Sequence, residues 1–176
     1  MKKWMTAIPV VLAVFVAQGL ARQAQTEQKQ AQPRPAQPRL TFAETVKRSL
    51  QRVGATIDES KSAAELVVTN YSDPKGGKTT IVIVNDKRKN MIGLYIYNFG
   101  SLKNVANREE VYRYLLSAND SITIGSFFVD GEQDIGYKYY FSNTQPLNQA
   151  VFESAYLTMA TVARERRAEI RRLIGE

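Results

Sequence analysis

From residue 41 onward the apolar positions alternate between two periods. Phe42, Val46, Leu50 and Val53 stand at helical spacing and make one apolar stripe. Thr41 just ahead, with Glu44 three residues later, forms a capping box, and Gly54 supplies a left-handed stop. The pattern predicts a helix over about 42–53. Three β-rich runs follow: 65–70 (ELVVTN), 79–85 (TTIVIVN) and 90–98 (NMIGLYIYN). Turn residues separate them, Ser72 to Gly77 and then Asp86 to Lys89. In the third run Ile92, Leu94 and Ile96 point one way, and Met91, Tyr95 and Tyr97 the other. A strand apolar on both sides needs cover on both. Helices provide one cover; the other is a further helix, a second subunit or a bound partner segment.

The second half opens with a helix over about 107–120. Asn107 caps it, Glu109 and Glu110 suit its first turn, and Val111, Tyr114 and Leu115 form the buried stripe. Two β-rich runs then flank Asp130-Gly131: 121–129 and 132–141. Asp-Gly between such runs predicts a hairpin on a type I′ turn. Ile122, Ile124 and Phe128 share one face of its first strand; Ile135, Tyr137, Tyr139 and Phe141 share one face of its second. Thr144-Gln145-Pro146 reads as the start of a long last helix, with Leu147, Val151, Ala155, Met159 and Val162 packed on the sheet. The predicted order is α-β-β-β-α-β-β-α. It makes an α+β domain with an antiparallel sheet of about five strands, since no βαβ alternation is present.

Residues 1–39 break this pattern. Lys2 and Lys3 precede a mostly apolar run, Met5 to Val16, too short to cross ~30 Å of hydrocarbon comfortably. Gly19-Leu20-Ala21, or Ala17-Gln18-Gly19, offers small residues for cleavage, so 1–21 reads as an export signal. The alternative is an uncleaved membrane anchor. Residues 22–39 (RQAQTEQKQAQPRPAQPR) hold almost nothing apolar larger than Ala and form a tether. Residues 40–176 then form one domain, placed in the periplasm or secreted, with no membrane span once the signal is cleaved.

The chain has 176 residues, with no cysteine and no histidine. That excludes disulfides, thiol nucleophiles, Cys/His zinc sites and histidine-based triads, and it excludes a lipid-modified N-terminal cysteine. A metal site would have to use carboxylates and carbonyls. No cofactor is expected. The formal charge of +7 is concentrated in the tether and in the run Arg164 to Arg172, and it invites an anion-binding reading. Glu165 and Glu169 within that run point instead to ion pairs along a solvated helix, and no nucleic acid is expected outside the cytoplasm.

Three other groups carry candidate chemistry. Gly77-Lys78-Thr79 resembles the end of a phosphate-binding loop, but Ser72 stands where its first glycine belongs and a strand follows in place of a helix. Asp130, Glu132 and Asp134 cluster at the hairpin, where Glu132 and Asp134 share a face. They suit a Ca²⁺ ion or an acid/base pair, or simply a solvated turn. The strands are also dense in aromatics. Among these Tyr95, Tyr97 and Tyr140 are either plain packing or an interface. Tyr140 shares its face with Lys138 rather than with Tyr137 and Tyr139.

The segments YIYNFG (95–100), NREEVYRYLLSAND (107–120), FFVDGEQDIGYKYYF (127–141) and the long helix from Pro146 together resemble the YbjN-type domain of bacterial sensory transduction regulators. The resemblance spans most of 41–165. It implies the fold of class I type III secretion chaperones and a non-enzymatic, often dimeric domain that holds partner segments. It brings no catalytic residues. The export signal departs from a cytoplasmic secretion chaperone. The expectation is an exported binding protein, chaperone-like or regulatory, that holds a protein partner or a second copy of itself on Tyr95, Tyr97 and Tyr140. The other classes are a carboxylate-based or Ca²⁺-dependent hydrolase using Glu132 and Asp134, and an anion-binding envelope protein.

Overall fold

A computed structural model describes residues 40–144 and 146–176. The expected export signal, the tether and Gln145 lie outside the described residues. The elements are α1 (Phe42–Arg52), β1 (Thr56–Ile57), β2 (Leu66–Ser72), β3 (Lys78–Asp86), β4 (Met91–Ile96), α2 (Arg108–Ser121), β5 (Ser126–Val129), β6 (Ile135–Ser142) and α3 (Gln149–Ile174). The domain is α+β, with three helices and one antiparallel six-stranded sheet among the described residues. The strand order is β1-β2-β3-β4-β6-β5. β1 to β4 form a meander. The chain then passes through α2, lays β5 at the far edge and returns as β6 between β5 and β4.

The expected capping box is present. Glu44 N–H donates to Thr41 Oγ1, and Thr41 N–H donates to the Glu44 carboxylate. Those bonds hold the Glu44 carboxyl below its usual range. The sixth strand, β1, was not anticipated. It is two residues long, too short to show an alternating pattern, and pairs Thr56 and Ile57 with Asn70 and Thr69.

Three expectations need correction. The segment 121–125 is not strand. α2 runs through Ser121, whose hydroxyl bonds to the Ala118 carbonyl, and Gly125 then turns at φ +83°. A Cβ at Gly125 would sit 2.7 Å from the Lys138 carbonyl oxygen, so the chain can pass β6 there only as glycine. Phe127 therefore enters the core, and Phe128 takes the opposite face without Ile122 or Ile124 beside it. The hairpin is not a type I′ turn. Gln133 N–H donates to the Asp130 carbonyl, Asp130 N–H donates to the Asp134 carbonyl, and Gln133 carries the positive φ of 67°. This is the three-residue loop that ends in a left-handed residue. Finally, α3 starts later than Pro146, because Asn148 Oδ1 accepts from Val151 N–H and caps it. Its buried stripe is Phe152, Ala155, Tyr156, Met159, Ala160, Ala163 and Ile170, and Val151 is exposed.

All three helices bury side chains in one cluster with one face of the sheet. Ile81 and Ile83 of β3, Ile92, Leu94 and Ile96 of β4, and Ile135 and Tyr137 of β6 meet Val46 and Leu50 of α1, Val111 and Leu115 of α2, and Phe152 and Tyr156 of α3. Each such aliphatic or aromatic side chain contributes about 1.5–3 kcal/mol on burial. Of the buried polar side chains in this layer Ser49 Oγ has no partner among the described residues, while Thr69 is fully engaged. The Tyr156 and Thr69 hydroxyls lie 2.8 Å apart, and the Thr69 hydroxyl donates to the Ile81 carbonyl. Burial pushes the Tyr156 and Tyr137 phenols up to about 12, the former against an opposing effect of the Thr69 bond.

Candidate binding face

The other face of the sheet carries no helix. Alternation and register assign its members. Val82 lies opposite Val68 on one side and Tyr95 on the other, and Tyr95 in turn lies opposite Lys138. Val84 lies opposite Leu66 and Gly93, and Gly93 lies opposite Tyr140. Phe128 lies opposite Gly136. The three tyrosines singled out in the sequence therefore share one surface. Tyr95 stacks on Tyr97, with centroids 5.9 Å apart and planes 10° apart. Tyr95 meets Tyr140 edge-on at 5.6 Å, and their hydroxyls are hydrogen-bonded to each other. Tyr97 continues the chain of rings to Phe128, edge-on at 5.8 Å, and Lys138 Nζ stands 4.8 Å over the Phe128 ring.

These rings have a second task. A Cβ on Gly93 would fall 2.8 Å from the Tyr95 ring and 3.0 Å from the Tyr140 ring, and one on Gly136 would fall 2.5 Å from Phe128. The rings lie over bare backbone and shield it, as aromatics do above strand glycines. Hence Tyr95 and Tyr140 are half-buried while Tyr97 is 47% exposed. Burial first, then the bond to Tyr140, raises the Tyr95 phenol far above its usual range. Burial also raises Tyr97, helped by the nearby Tyr140 and Asp130. Both are neutral hydroxyls at physiological pH, fitted to packing and hydrogen bonding rather than to proton abstraction.

Sequence reasoning missed Phe128 as a member of this face, together with Leu66, Val68, Val82 and Val84. The signals were there. Val82 and Val84 share parity in TTIVIVN, and Gly93 and Gly136 stand mid-strand, where glycine marks close approach. A shallow depression of about 340 Å³ lies over Gly93, between Tyr95, Tyr140 and the β3–β4 turn with Lys87 and Arg88. Apolar surface also continues round the β5 edge through Phe128 into a groove of about 440 Å³ beside Tyr112 and Leu116 of α2.

Near each end of the sheet one residue has its outward backbone groups taken up by a neighbouring loop or helix. Val68 N–H donates to Ser62 Oγ, and the Val68 carbonyl accepts from Asp58 N–H. At the far edge the Asn119 amide takes both the N–H (2.7 Å) and the carbonyl (3.2 Å) of Phe127, as a neighbouring strand would.

The remaining candidates fall elsewhere. The Asp130 carboxylate accepts from the backbone N–H groups of Glu132 and Asp134, so it holds the turn, and Glu132 is exposed. Among the described residues no three Asp or Glu side chains gather as they would around an ion. Lys78 and Thr79 open β3. The arginine run is not simply a solvated face. Arg164 pairs with Asp73 at 2.6 Å, Arg167 reaches the Lys78 carbonyl and Asn98 Oδ1, and Arg166 reaches Ser121; Arg172 with Glu169 makes the expected i,i+3 pair, and Arg164 also touches its chain neighbour Glu165. These arginines tie α3 to the rest of the domain. No helix among the described residues is long and apolar enough to cross a membrane. Neither a family model nor a curated protein matches this chain.

Proposed function

We propose that this chain is an exported, non-enzymatic binding protein that holds protein surface on the open face of its sheet. The observation that carries the reading is the unbroken row Tyr140–Tyr95–Tyr97–Phe128 on a face without a helix, in which the Tyr97 ring is nearly half exposed. Tyrosines of this kind combine large contact area with a hydroxyl, and they concentrate at protein interfaces. The face is broad and shallow, which suits a protein surface better than a small molecule. The YbjN-type resemblance and the secretion-chaperone-like fold it implies favour the same class, and the charged, short and apolar segments of residues 1–21 favour export to the periplasm.

The test is binding of a permanently unfolded, Leu- and Phe-rich polypeptide, followed by fluorescence anisotropy at submicromolar chain. Tyr97→Lys places a charge in the contact without touching the core, and it weakens binding by about tenfold or more. Equal binding by Tyr97→Lys and the parent chain would show that the face is not the binding surface. Export is checked separately, by the mass of the chain recovered from cells: loss of residues 1–21 or 1–19 supports it, and an intact N-terminus in the cytoplasm counts against it.

A further inference from the structure

We infer that the partner segment held on the open face is acidic as well as apolar, and that it anchors a carboxylate side chain in the depression over Gly93, against Arg88. This rests on the reading above that the face binds protein.

The depression is built to receive an anion. Its floor is Gly93, which adds no side chain, and its walls are Val84 and the Tyr95 and Tyr140 rings. Its rim is the β3–β4 turn, with Asp86, Lys87 and Arg88. Most charges of that turn are matched to one another. Lys87 pairs with Glu65 at 2.6 Å, and Lys89 pairs with Asp86 at 3.4 Å. Lys89 N–H also donates to the Asp86 carboxylate. That bond first, and Arg88 last and from a distance, hold the Asp86 carboxyl below its usual range. Both carboxylates beside the depression thus have a cation of their own. Arg88 makes no ion pair among the described residues. Its planar guanidinium has the geometry to take a carboxylate through two parallel bonds. A hydroxyl stands beside it. Tyr95 and Tyr140 are hydrogen-bonded to each other, and the bond between two hydroxyls uses only one of their protons. The other proton is left to donate to a ligand oxygen.

The rest of the face carries the same sign. Lys138 lies opposite Tyr95 on β6, and Lys78 continues the parity of Val82 and Thr80 on β3. Neither forms an ion pair among the described residues; Lys138 rests instead over the Phe128 ring. Beyond Tyr97, the Asp130 carboxylate is turned to the N–H groups of Glu132 and Asp134. Three cations, Lys78, Arg88 and Lys138, therefore stand around the aromatic row without a countercharge. Exposed pairs add little one by one, and several acting together add more. The pair at Arg88 counts for most, because the rings and the apolar part of the segment keep water from it. The depression is shallow, and the row of rings runs on from it through Tyr97 to Phe128. A segment therefore passes over it, and its carboxylate comes from an Asp or Glu side chain between apolar residues.

Four fluorescein-labelled peptides of one length, with Leu and Phe at the same positions, test this. Their polar positions are all Glu, all Gln or all Lys, with amidated C-termini; the fourth is the Gln peptide with a free C-terminal carboxylate. Fluorescence anisotropy with the full chain ranks them. The Glu peptide binds about three- to tenfold tighter than the amidated Gln peptide, and the margin closes as salt rises from about 50 to about 500 mM. The Lys peptide binds most weakly. Arg88→Glu removes most of the preference for Glu over Gln. Arg48→Glu, an equal change of charge at an exposed position of α1, leaves that preference in place. Equal affinity for the Glu and Gln peptides overturns the acidic partner, as does a preference that both variants reduce alike. A gain confined to the free carboxylate makes the depression a site for a chain end and overturns the side-chain anchor. The neutral Gln peptide reads the face by itself. If Tyr97→Lys weakens it while Glu brings no gain, the inference is wrong and the binding face stands; if Tyr97→Lys leaves it unchanged, the face itself is wrong.

Discussion

The two faces of this sheet are built from neighbouring residues of the same strands and are spent on different ends. On β3, Ile81 and Ile83 are fully buried beneath the helices, while Val82 and Val84, which alternate with them, are only partly covered. On β4, Ile92, Leu94 and Ile96 are fully buried, and Tyr95 and Tyr97 look outward. The covered face is closed by α1, α2 and α3. The open face is closed only by its own rings lying over glycine. A strand in a one-sided sheet normally shows polar residues outward. Here the outward positions of β3 and β4 include Val82, Val84, Met91 and Tyr95 beside the polar Thr80, which fits the binding role proposed for this face.

The comparison is broken most forcefully on the covered side. Leu94→Ala removes a fully buried side chain and costs about 2–5 kcal/mol. Urea denaturation shows this as a large fall in midpoint, whereas Met91→Ala, three residues earlier on the open face, costs within about 1 kcal/mol. If the two losses were equal, the open face would be core. Next in size is Gly93→Val. A branched side chain there collides with the Tyr95 and Tyr140 rings, for a loss of about 1–3 kcal/mol. The same variant displaces those rings from the proposed binding face, so it is expected to lower stability and polypeptide affinity together.

Alkaline titration divides the open face further. The Tyr156 phenol stays neutral in the fold up to about 12, against about 10 when unfolded. Its contribution is whole below pH 10 and is lost as pH rises toward 12, so stability falls across that window. Tyr156→Phe flattens the slope of denaturation midpoint against pH. Tyr95→Phe flattens it too, because Tyr95 is raised by burial and by its bond to Tyr140. Tyr97→Phe flattens it less, which assigns Tyr95 to shielding the sheet and Tyr97 to contact. The smallest effect is at the domain's first helix. Thr41→Ala removes the capping box for about 1 kcal/mol and leaves binding on the open face unchanged.

Much of this was legible in the chain, and the illegible parts share a physical cause. Local chemistry read true: Thr41 and Glu44 cap α1, Asn107 caps α2, and the parity of Met91, Tyr95 and Tyr97 placed them on the face away from the core. Features set by distant partners did not. The run 121–125 has β composition, yet the close passage of Gly125 over β6 denies it a strand. β1 exists only because β2 offers it an edge. Asp130-Gly131 reads as a two-residue turn, but the Asp130 carboxylate, binding the N–H groups of Glu132 and Asp134, favours the longer loop. The arginine run looked solvated because its partners Asp73, Lys78 and Asn98 lie far away in sequence.

The division of labour between the faces is tested most directly on β3, where it changes from one residue to the next. Methyl NMR of the full chain, titrated with the unfolded polypeptide, reports Val82 and Val84 on one side of that strand and Ile81 and Ile83 on the other. On binding, the Val82, Val84 and Met91 methyl resonances are expected to shift in proportion while those of Ile81 and Ile83 hold still. Equal movement on both sides, or movement confined to the helix-covered side, would contradict that division.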